Sequence, residues 1–73
     1  MRNYNIEITE SFIVDKTGKR VSVFGLIIDN GNTCLCYPDL VTNKAKLLRL
    51  CSVLDDEMPS ERLLLELFDD YLF

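Results

Sequence analysis

The stretch "IIDNGNTCL" constrains this chain more than any other. Asn-Gly readily takes the positive φ angles of a tight type I′ turn, so Asn30-Gly31 between two apolar runs predicts two antiparallel strands joined there. A two-residue loop sets Phe24 opposite Tyr37, Leu26 opposite Leu35 and Ile28 opposite Thr33 on one face. Val23, Ile27, Cys34 and Cys36 then fall on the other. Pro38 has no N–H for a ladder and is expected to end the third strand.

A strand also precedes this hairpin. Tyr4, Ile6, Ile8, Phe12 and Val14 recur with period two, interrupted by Glu10, which is the pattern of a half-buried strand. "VDKTGKRV" supplies the turn, with Gly18 free to take positive φ. Two registers fit it. A two-residue loop at Thr17 and Gly18 pairs Val14 with Val21 and Phe12 with Val23, whereas a type I turn with a bulge at Gly18 shifts both pairs by one. Gly25, in mid-strand, marks a second possible bulge. The middle strand is apolar on both faces, and a meander normally leaves one face to water, so a sheet covered twice is expected.

Helices follow. Thr42 or Asn43 caps a first one, with Leu47, Leu48, Leu50, Cys51 and Leu54 at three- and four-residue spacing along one side. The acidic "DDEMP" breaks it, and Ser60 caps a second helix expected to run to the last residue. A connection of about five residues between them suits an antiparallel helical hairpin.

The second helix carries more apolar surface than one buried face requires. At about 100° per residue, Leu63, Leu67, Tyr71, Leu64, Phe68, Leu72 and Leu65 sweep roughly 200°. Asp69 and Asp70 in the last turn oppose the helix dipole, at about 0.3 to 1 kcal/mol for each exposed charge. Residues placed against the helix's own interest point to a partner, either a second copy or another protein whose basic groups meet those acids. Leu65, Leu72, Phe73, Glu66, Asp69 and Asp70 are therefore the candidate interaction residues. The alternative is a small domain that buries its terminal helix deeply between the sheet and the first helix.

Several chemistries lack their groups. The chain has no histidine, which removes the commonest general base, and its three cysteines and three glycines form neither a zinc ligand set nor a phosphate cradle. Cys34, Cys36 and Cys51 are read as core or half-buried thiols. Asp55, Asp56 and Glu57 lack the spaced oxygen ligands of a calcium loop and are read as a solvated acidic loop. Residues 1 to 54 carry seven Lys or Arg against five acids and residues 55 to 73 seven acids against Arg62, so +2 and −6 give the net −4. Such a chain is not expected to bind nucleic acid directly: Lys44, Lys46 and Arg49 fit the solvated side of one amphipathic helix. No signal-like segment and no run of about 18 apolar residues is visible, so a reducing cytoplasm is expected, without membrane attachment.

The "VFGLII" stretch resembles a V-Y-G-I type strand, with Phe24 in place of tyrosine, and "SERLLLELFDDYL" is similar to a serine-capped helix closing on an acidic pair and an aromatic. With the alternating first strand, these resemble a family of short uncharacterised proteins from Clostridia-type Gram-positive bacteria, catalogued as a domain of unknown function. The resemblance covers nearly the whole chain. It implies a bacterial origin and brings no activity, cofactor or site residue with it.

These readings converge on a single α+β domain over residues 1–73, a three-stranded antiparallel meander followed by a helical hairpin packed on one face (βββαα). A chain this short buries too small a fraction of its surface to hold much stability in reserve, and oligomerisation is a natural reinforcement. The expected function is a protein-interaction or regulatory module that pairs with itself as a homodimer or with another protein, without catalysis, metal, cofactor or small-molecule substrate. The alternative is an acidic inhibitor, such as a phage-encoded one, presenting Asp55, Asp56, Glu57, Glu66, Asp69 and Asp70 to a basic nucleic-acid site on a target.

Overall fold

The computed structural model describes residues 2–73. β1 (Asn5–Val14), β2 (Arg20–Asp29) and β3 (Cys34–Val41) form an antiparallel sheet in the order β1-β2-β3, followed by α1 (Lys44–Ser52) and α2 (Glu61–Tyr71). This is the βββαα arrangement of an α+β fold. Its turns show how local chemistry sets the register.

At the first turn Val14 pairs with Arg20 and Phe12 with Ser22, which is the bulged alternative. Gly18 sits at φ 83°, and its N–H donates to the Asp15 carbonyl at 3.0 Å. The Asp15 carboxylate accepts from the Thr17 N–H, the Thr17 hydroxyl and the Lys19 N–H at 2.9, 2.6 and 2.9 Å. These bonds, the Thr17 hydroxyl foremost, hold the Asp15 carboxyl below its ordinary pKa.

The second turn departs from the two-residue loop. Asp29 pairs with Cys34, Ile28 with Leu35 and Leu26 with Tyr37, leaving a four-residue loop from Asn30 to Thr33. Side-chain acceptors explain the wider turn: Asp29 takes the Gly31 N–H at 2.7 Å, while Asn30 takes those of Asn32 and Thr33 at 2.9 and 2.7 Å. The ladder is displaced by two residues from the expected one, and an even displacement leaves each side chain on its expected face.

Pro38 does not end β3. Between Leu26↔Tyr37 and Phe24↔Val41, β3 advances four positions while β2 advances two, so Pro38 falls in a bulge where its missing N–H is tolerated. Asp39 there adopts φ 57°, and its carboxylate accepts from the Ser11 hydroxyl at 2.6 Å. The bulge leans across Gly25, where an added Cβ would lie 2.5 Å from the Tyr37 carbonyl oxygen and 2.7 Å from Pro38 Cα. Beneath it Val23 is buried.

Both helices pack on the face that carries Leu26 and Ile28. With Leu47, Leu50 and Leu64 these are fully buried, joined by Tyr4, Phe68 and Leu72, and Tyr37 meets Phe68 edge to face at 5.1 Å. Among the described residues the main core cluster draws on this face of the sheet, while on the other Cys34 and Cys36 lie exposed and the β3 bulge crosses Gly25. The middle strand's second apolar set therefore does not signal a double covering.

Asn43 caps α1 by accepting from the Ala45 N–H at 3.0 Å, and Ser60 caps α2 by accepting from the Leu63 N–H at 3.2 Å. The connection is longer than expected, because the Val53 and Leu54 N–H groups turn back onto Leu50 and Cys51 and end α1 early. Residues before β1 tie it down: Tyr4 donates its hydroxyl to the Asp55 carbonyl at 2.6 Å, and the Asn3 N–H donates to that of Asp56 at 2.8 Å. α2 ends at Tyr71, where the Leu72 and Phe73 N–H groups both donate to the Phe68 carbonyl.

The β2–β3 ladder stops at Phe24↔Val41, but β1 and β2 stay paired from Ser11↔Val23 to Val14↔Arg20. That two-stranded arm contributes to a molecule 43 Å long and 24 by 20 Å across.

Candidate interaction surfaces

α2 resolves the wide apolar arc into two sides. Leu64 and Phe68, four residues apart, face the core, and Leu72 continues the same row at 3% exposure. Leu72 therefore does not belong to the outward set in which the sequence placed it. Leu67 and Tyr71 lie half-buried at the edge of the core. Leu63, Leu65 and Phe73 remain outward, exposed by 44%, 47% and 77%. Glu66, Asp69 and Asp70 are exposed alongside them, and Glu66 forms an i,i+4 pair with Arg62 at 3.8 Å. Of the six candidate residues, five thus share the solvent-facing side of α2 and the turn after it.

The arm is a second apolar surface. Phe12, Ile13 and Val14 are exposed by 52%, 46% and 70%, on both faces of the ribbon. The Arg20 guanidinium lies 4.2 Å from the centre of the Phe12 ring, in cation–π contact, and Lys16 and Lys19 flank the turn in solvent. Phe12 and Val14 are expected on the apolar side of a half-buried strand because they continue the alternation of Ile6 and Ile8. Length was the usable signal: a ten-residue strand spans about 33 Å, whereas a nine-residue helix is only about 14 Å long.

Between the root of the arm and the end of α2 lies an open crevice of about 370 Å³, lined by Val23, Leu40, Val41, Lys46, Leu72 and Phe73 among others. A second hollow, beside the start of α2, is lined by Asp55, Asp56, Glu57 and Leu63. Among the described residues, no group of three His, Cys, Asp or Glu is placed to hold a metal ion.

All three cysteines are free. Cys34 and Cys36 are exposed, contrary to the expectation of core or half-buried thiols, because they sit on the uncovered face of the sheet. Cys51 is half-buried; burial pushes its thiol pKa up, and Arg2 pulls it partly back. Among the described residues no helix is long and apolar enough to cross a membrane. Comparison with protein-family models, curated proteins and solved structures finds no match to this chain.

Proposed function

We propose that this chain is a non-catalytic protein-interaction module of the reducing cytoplasm that works as a homodimer. One observation carries the reading: α2 fills the core with Leu64, Phe68 and Leu72 and still presents Leu63, Leu65 and Phe73 to solvent. A contact between two copies through this surface is isologous, so each patch serves twice. The core of a 73-residue chain gains stability from such pairing.

Light scattering across a tenfold dilution series tests it. The wild-type chain should scatter as a dimer at the concentrated end, and Leu65→Lys with Phe73→Lys should shift it to monomer while leaving the circular dichroism spectrum unchanged. A wild-type chain that stays monomeric at the highest concentration overturns the reading.

A further inference from the structure

Resting on the self-association reading, we infer that the α2 surface receives the β1–β2 arm of a second copy, each protomer laying its arm across the other's terminal helix about a two-fold axis. The two surfaces are complementary in charge. Residues 11–22 carry Lys16, Lys19 and Arg20 against Asp15, so 3 − 1 = +2. Glu61–Tyr71 carries four acids against Arg62, so 1 − 4 = −3. At the arm, Asp15 spends its carboxylate on the turn, which leaves the tip's outward charge to the cations. At the helix, Asp69 and Asp70 make no ion pair among the described residues.

The apolar parts match as well. The arm exposes Phe12 and Val14, and the crevice beside Phe73 is walled by Val23, Leu40, Val41 and Leu72. A two-stranded ribbon is marginal by itself in water, so an arm with exposed aromatic and β-branched residues gains order from a partner. Because the crevice lies at the arm's own root, two arms related by a two-fold axis each bring their tip toward the other's root and helix end. Buried Phe12 and Val14 supply the contact area; Lys16 and Lys19 against Asp69 and Asp70 supply orientation.

Charge reversal tests this directly. The arm variant Lys16→Glu/Lys19→Glu and the helix variant Asp69→Lys/Asp70→Lys change exposed side chains outside the core, so both should keep the wild-type circular dichroism spectrum. Each alone places like charges at both contacts of a homodimer and should dimerise roughly tenfold or more weakly. Mixed in equal amounts, the two variants should form a heterodimer of near wild-type affinity, since both contacts then join opposite charges. Light scattering and a differently tagged pair read the result. A wild-type dimer that the reversals leave intact, or that they weaken without recovery on mixing, overturns the arm-on-helix assignment and leaves self-association standing. A wild-type chain that is monomeric throughout overturns both.

Discussion

The two ends of β1 carry the same kind of sequence and meet opposite fates. Ile6 and Ile8 pair with Ile28 and Leu26 under the helices, whereas Phe12 and Val14, in step with them along one strand, pair with Ser22 and Arg20 in solvent. Alternation along a strand thus fixes which face a side chain takes but leaves open whether anything lies above that face. Here cover extends only as far as α1, α2 and β3 reach. The buried end is held by packing, and the exposed end by hydrogen bonds in its turn, by the Arg20–Phe12 contact and, in our reading, by a second chain.

The largest test of this difference is a pair of truncations. Leu64→Ala removes a fully buried side chain and should destabilise by about 3 to 5 kcal/mol in urea unfolding. Phe12→Ala, at dilutions where the chain is monomeric, should cost about 0.5 to 1 kcal/mol through its lost contact with Arg20. Equal losses would show that the arm is packed as firmly as the base and would break the contrast.

The boundary between the two regions can be probed next. Gly25→Ala forces a methyl group against the Tyr37 carbonyl and Pro38 Cα, both of them backbone, so the β3 bulge must shift. A loss of about 1 to 3 kcal/mol is expected. An unchanged urea midpoint would mean that β3 does not lean across the sheet there.

The smallest effect belongs to the arm's turn and depends on pH. Asp15 has a lowered carboxyl pKa in the folded chain, so its contribution is complete above the ordinary aspartate value and disappears as pH falls through the lowered one. Between about pH 5 and pH 2 the Thr17 and Lys19 amides should lose protection from hydrogen exchange before those of Leu26 and Ile28 do. Simultaneous loss would sink the idea that the turn opens separately from a core with no buried charged side chain among its described residues.

Labelling sharpens the distinction between the sheet's faces. Cys34 and Cys36, exposed on the uncovered face, should react with iodoacetamide well ahead of Cys51, whose thiol is half-buried and shifted toward the protonated form. Comparable rates at all three would place cover over that face after all.

What the sequence determined by itself was whatever depends on neighbours a few positions apart. The order of three strands and two helices, the cap at Ser60, the positive φ at Gly18 and the shared face of Leu26 and Ile28 all follow from period, capping oxygen or missing Cβ. The faces of β3 also came out correctly although its register was two residues off, because side-chain direction repeats every two. Three features were decided only by the tertiary structure. Pro38 is absorbed into a bulge opposite Gly25, Leu72 is drawn into the core, and Phe12 is left in solvent. For these, the outcome turns on how far another element extends past the residue, and that distance is set by how the whole chain packs.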